Sequence, residues 1–95
     1  MSEYPLPSTT GFTVYTKTGY RYCDMVNRLL ASEPGVVYID CDQYSDTLQN
    51  FWVFIESVGC KDQTTFPIVF YDGTFEGGFT EALKCIQRRE RNKKK

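Results

Sequence analysis

The chain has 95 residues, 41% hydrophobic and 24% charged, which fits one soluble domain with a single modest core and no second one. Its net charge of −1 conceals a division: the last eight residues, RRERNKKK, hold six basic residues and one acidic residue and carry +5, while the first 87, with five basic and eleven acidic residues, carry −6. An acidic body disfavours a nucleic-acid-binding globular face, four dispersed cysteines without any histidine disfavour a zinc site, and no apolar run is long enough for a membrane helix.

Residues 1–10, with Pro5, Pro7 and Ser8-Thr9-Thr10, read as a loose lead-in that lacks the basic start and apolar stretch of a signal peptide. GFTVYT (11–16) alternates apolar and polar residues rich in β-branched and aromatic types, which predicts a strand. After the turn at Thr18-Gly19, Tyr22, Met25, Val26, Leu29 and Leu30 fall at helical spacing, and Pro34-Gly35 ends that helix. VVYIDC (36–41) is a short apolar run of the buried-strand kind, followed by turn chemistry in which Ser45 or Asp46 caps the next helix. That helix, 47–58, repeats apolar residues at 48, 51, 52, 55 and 58 and stops at Gly59. A polar loop leads to FPIVFYDG (66–73), a strand closed by the turn at Asp72-Gly73, and TFEGG (74–78) supplies a hairpin arm. FTEALKCIQ (79–87) is a final amphipathic helix. The basic run 88–95 has no apolar residue to pack and reads as a solvated, frayed end, dispensable for folding but able to reach an acidic partner or nucleic acid.

The order is therefore β-α-β-α-β-β-α. The first two strands form a parallel pair through a right-handed crossover, the last two are antiparallel, and helices cover both faces. This predicts an α/β domain of the thioredoxin type, with a four-stranded mixed sheet flanked by three helices, over residues 11–87.

Three separated motifs carry the functional reading. One is Thr16-Lys17-Thr18-Gly19-Tyr20-Arg21-Tyr22-Cys23, between the first strand and the first helix. The second is Thr65-Phe66-Pro67 at the head of the third strand, and the third is Gly77-Gly78 before Phe79-Thr80-Glu81. In order and approximate spacing the set resembles the glutaredoxin family, with a longer loop between Gly59 and Pro67. The resemblance implies a cis bond at Pro67, where the backbone of the preceding residue pairs with an extended peptide. It implies a close backbone approach at Gly77-Gly78 and a glutathione site lined by Lys17, Tyr22, Thr65, Phe66, Pro67, Gly77, Gly78, Thr80 and Glu81. Within that set Lys17 suits a ligand carboxylate, and Thr80 or Glu81 suits a ligand amine.

The resemblance also shows what is missing. Aligned on Thr16-Lys17-x-Gly19, the family's nucleophilic cysteine is Tyr20, its proline is Arg21, and only the second cysteine remains, as Cys23. A phenol forms no reversible bond to sulfur, whereas disulfide exchange needs an attacking thiolate. The same loss removes the cysteine with which single-cysteine relatives hold an iron–sulfur cluster, so neither cluster nor metal is expected. Three routes to redox chemistry stay open. Cys23 sits in a first helical turn beside Arg21, Cys60 lies in the loop before Pro67, and Cys41 or Cys85 would serve as a sensing thiol elsewhere. Two readings follow: a non-catalytic binding or structural module that keeps a glutathione or peptide cleft, or a diverged single-cysteine, glutathione-linked oxidoreductase acting through Cys23. Either belongs in a reducing cytoplasmic or nuclear setting, and a small domain with an eroded motif and a basic end would suit a large DNA virus.

Overall fold

The computed structural model describes residues 4–44 and 48–93, with side chains to residue 89. The strands are β1 (Phe12–Thr16), β2 (Val37–Asp40), β3 (Ile68–Tyr71) and β4 (Thr74–Gly77), and the helices are α1 (Arg21–Leu29), α2 (Leu48–Ser57) and α3 (Phe79–Lys93). They form one sheet in the order β2-β1-β3-β4, parallel between β1 and β2 and antiparallel elsewhere. This is the expected mixed four-stranded thioredoxin-type sheet with three helices. Ser45 and Asp46, read as capping residues, lie outside the described residues.

The period of two along the central strands builds two cores, one on each face. Phe12 and Val14 of β1 and Val69 of β3 pack with Val26 and Leu30 at the α1 side and with Ala82 and Cys85 of α3. Tyr15, Ile68 and Phe70 point the other way and pack with Phe51 and Ile55 of α2. Full burial of side chains such as Phe51 and Phe70 contributes about 1.5–3 kcal/mol each from area alone. The β3–β4 hairpin turns at Asp72 (φ 53°) and Gly73 (φ 83°), the left-handed pair that matches strand twist. Asp72 Oδ1 accepts from the Gly11 amide at 2.7 Å, tying the turn to the start of β1.

Two boundaries differ from the sequence reading. The lead-in is packed along residues 4–10: Tyr4 is buried against Tyr44 and Phe51, with centroids at 4.7 and 5.0 Å, and Tyr15 Oη donates to the Pro5 carbonyl at 2.7 Å. The Ser8 amide donates to Thr13 Oγ1 at 2.9 Å, giving a partner to the hydroxyl of fully buried Thr13. At the other end, α3 continues to Lys93 instead of stopping at 87. Apolar spacing missed this because the extension is held by charge. Arg89 Nη1 meets Glu33 Oε1 at 2.6 Å while its guanidinium lies 5.4 Å from the Tyr71 ring centroid, and Arg88 reaches Glu76 at 3.5 Å. Among the described residues no helix is long and apolar enough to cross a membrane.

Candidate functional site: a closed thiol corner beside an open cleft

β1 delivers the chain to the turn 17–20, and α1 begins directly after it. Tyr20 occupies the helix N-cap position in an extended conformation, and its side chain makes no capping hydrogen bond. Its carbonyl accepts from the Cys23 amide at 3.0 Å, placing the thiol in the first helical turn. The ring of Tyr20 turns toward the core and meets Phe66 edge to face at 5.3 Å. Phe66 in turn stacks on Phe51 at 5.2 Å and contacts Trp52 at 5.6 Å. Tyr20 thus closes an aromatic wall around the cluster that contains Cys23, Cys41 and Cys60.

The consequence for Cys23 is chemical. The residue is 4% exposed, and burial pushes its thiol above the ordinary range. A backbone hydrogen bond from Lys17 offsets part of this, while Asp24 and Asp42 add to the rise. The helix start and the neighbouring Arg21 would favour a thiolate, yet desolvation is the largest influence. Cys60 and Cys85 are likewise buried and raised, and Cys41 is pushed up to about 12.

Lys17 is already engaged. Its ammonium meets Asp42 Oδ1 at 2.8 Å, and the other carboxylate oxygen accepts from the Thr18 amide at 2.8 Å. Asp42, in the short 3-10 turn after β2, is held at about 2 by these partners, the Lys17 ammonium first. Lys17 and Arg21 line a hollow of about 370 Å³ with Thr18, Gly19, Tyr20 and Asp24.

A second depression, about 210 Å³, opens between the heads of β3 and α3. Tyr22, Thr65, Phe66, Pro67, Gly78, Thr80 and Glu81 all line it, so seven of the nine residues assigned to the ligand site meet there. Lys17 does not line it, and Gly77 lies buried behind it. The Phe66–Pro67 bond is cis. Phe79 and Gln63 complete the lining. The sequence reading missed Gln63, which looks like any polar loop residue. Its amide donates to the Thr65 and Pro67 carbonyls, both at 3.0 Å, and so braces the loop on either side of Phe66. Phe79 was missed as a helix-face residue, and its ring stands 6.0 Å from that of Tyr22.

The N-terminus of α3 is closed from within. Glu81, in its first turn, reaches back so that Oε1 accepts from the Gly78 amide at 2.9 Å, half of a capping box. The carboxylate passes over Gly77, where φ is 137° and a Cβ would lie 2.6 Å from Glu81 Cγ. Among the described residues no group of His, Cys, Asp and Glu is placed to hold a metal ion.

The model of the glutaredoxin family matches residues 12–76. Of solved structures, the holo form of glutaredoxin C1 from Populus tremula x tremuloides superposes with a TM-score of 0.69 at 27% identity, covering 87% of this chain and 80% of that one. Reduced glutaredoxin from Escherichia coli gives 0.63 at 20% identity over 83% and 95% of the two chains. Glutaredoxin 1 from Francisella tularensis, complexed with cacodylate, gives 0.62 at 23% identity over 86% and 96%. The latter two show likeness of fold. No curated protein sequence matches the chain.

Proposed function

The chain belongs to the glutaredoxin family, and within it we propose a non-catalytic binding module that has given up thiol exchange and kept the peptide cleft. One contrast supports this reading above all: Cys23, the single thiol of the motif turn, is 4% exposed, while the cleft beside it stays open at about 210 Å³. An attacking sulfur must be ionised and reachable. Cys23 is raised by burial and sits in a cluster against which Tyr20 packs. The cleft still offers the chain on either side of the cis Phe66–Pro67 bond, two threonines and apolar walls, which suits an extended peptide ligand. Glutathione or a segment of a partner protein fills that role. The setting is a reducing intracellular one, in keeping with four free cysteines.

The second reading, a single-cysteine oxidoreductase acting through Cys23, draws on the backbone hydrogen bond from Lys17 that favours the thiolate. Alkylation with iodoacetamide at neutral pH, followed residue by residue with mass spectrometry, separates the two. The module reading expects Cys23 to react more slowly than free glutathione and to become labelled only on unfolding. Rapid labelling of native Cys23, together with glutathione-dependent turnover that Cys23→Ser abolishes, would establish the oxidoreductase instead.

A further inference from the structure

The cleft is more specific than an extended backbone requires. Among the described residues, its lining contains one charged side chain, Glu81, and no lysine or arginine. Tyr22 is 51% exposed at its edge and forms an aromatic wall with Phe79, their centroids 6.0 Å apart at an interplanar angle of 34°. A helix N-terminus ordinarily attracts an anion, but here Glu81 already supplies one to the Gly78 amide. Of the basic residues in the motif turn, Lys17 and Arg21 line the neighbouring hollow, and Lys17 is paired with Asp42. Arg88 and Arg89 are paired with Glu76 and Glu33. The surrounding body of residues 1–87, with five basic and eleven acidic residues, carries −6.

We propose that this cleft receives a lysine or arginine side chain from an extended segment of a partner protein, the cation packing against the Tyr22 ring and pairing with the Glu81 carboxylate. The proposal rests on the reading of the cleft as a peptide site and names its ligand class. An exposed aromatic face attracts a cation through its ring quadrupole, and a carboxylate beside it adds a charge-assisted hydrogen bond. Glutathione carries two carboxylates beside its one ammonium: Glu81 suits the ammonium, but the described lining offers no cation to either carboxylate.

The test is an NMR titration of the isotope-labelled full chain with three probes. One is a capped hexapeptide, Ala-Lys-Ala-Arg-Ala-Lys, the second is its counterpart with glutamate at each basic position, and the third is reduced glutathione. The basic peptide is expected to shift the amides of Tyr22, Gly78 and Phe79 and to bind at least about tenfold more tightly than the acidic one. Glu81→Gln keeps an oxygen for the Gly78 amide, so the helix start survives while the charge is lost, and affinity for the basic peptide falls by about tenfold. Tyr22→Leu lowers it several-fold. Stronger shifts of the same amides by glutathione or the acidic peptide would overturn the cation preference and leave the peptide cleft standing. Undiminished binding of the basic peptide to Glu81→Gln would assign the attraction to the general negative field of the body and sink the proposal. If none of the probes moves the cleft amides, the cleft reading itself fails.

Discussion

The two ends of the motif region lie side by side and have fared differently. At the thiol corner, Tyr20 has turned inward against Phe66, Cys23 is buried, and Lys17 is tied to Asp42. At the cleft, seven of the residues assigned to ligand contact still share one opening. On the proposed reading, the scaffold separates the chemistry of sulfur from the recognition of a peptide. The first depends on one atom at the head of α1, whereas the second depends on backbone at the heads of β3 and α3, which replacing one side chain does not move. On the proposed reading, loss of the nucleophile costs the fold little, because Tyr20 in its place packs against Phe66.

The most direct way to break the contrast is to restore the sulfur. Tyr20→Cys with Arg21→Pro is expected to bring glutathione-dependent reduction of a small mixed disulfide from background to measurable turnover, while Tyr20→Ser stays at background. Turnover by the unaltered protein equal to that of a two-cysteine relative would show that the corner was never closed. A continued absence of turnover in the restored variant, if it folds, would mean that the cleft has lost the family's ligand as well.

Next in size is the wall that joins the two ends. Phe66 is 2% exposed and lies between the Tyr20 ring and the Phe51 ring. Phe66→Ala should cost about 3–5 kcal/mol and lower Tm by more than about 10 °C. It should also speed alkylation of Cys23, which calorimetry combined with labelling would read together. A destabilised variant whose Cys23 stays inert in the native state would show that Phe66 does not guard the thiol.

A smaller effect is expected far from both ends. Arg89→Ala removes one ion pair to Glu33, partly exposed, and one contact over Tyr71. It should cost about 1 kcal/mol and about 4–8 °C in Tm, with the cleft titration unchanged. An unaltered Tm would return residues 88–93 to the frayed end that their composition suggests.

The smallest effect is a titration. The Asp42 carboxyl is held at about 2, below the ordinary carboxylate range near 4, first by the Lys17 ammonium and then by Thr18. Because its folded value is depressed, its stabilising effect is complete above about pH 4 and disappears as pH falls through about 2. The Thr18 amide shift should report that midpoint, and Asp42→Asn should abolish the transition. A midpoint near 4 would show that the Lys17 pair is open in solution and that the corner keeps a free cation.

The sequence made the fold legible because strand and helix periods survive wherever a face is buried. Phe12, Val14, Val69 and Val26 announce themselves by spacing, and Asp72-Gly73 by turn chemistry. It also brought most of the cleft together, since Thr65-Phe66-Pro67 and Gly77-Gly78 sit at element heads whose order sets their position. Contacts between side chains that are distant in sequence were not legible. Tyr20 and Phe66 meet at the shared end of β1 and β3, far apart in the chain, and nothing local distinguishes an inward tyrosine from a surface one. Asp42 read as a turn residue because its partner lies at the end of another strand. The final helix was underestimated for the same reason: Arg89 docks through Tyr71 and Glu33, neither of which is near it in the chain.

The overlap of Glu81 with Gly77 has an evolutionary consequence. A Cβ at position 77 would fall 2.6 Å from Glu81 Cγ, so the two positions are not free to vary independently. Alanine at 77 displaces the acid, and displacement leaves the Gly78 amide without its acceptor and turns the head of α3 back into an anion site. Removing the acid first, as in Glu81→Ala, relieves the clash but not the strain of φ 137° at position 77, and takes away the one charge of the described lining. On the proposed cation preference, either order weakens the hold on a basic partner, so a descendant that changed its partner's charge would be expected to carry changes at both positions.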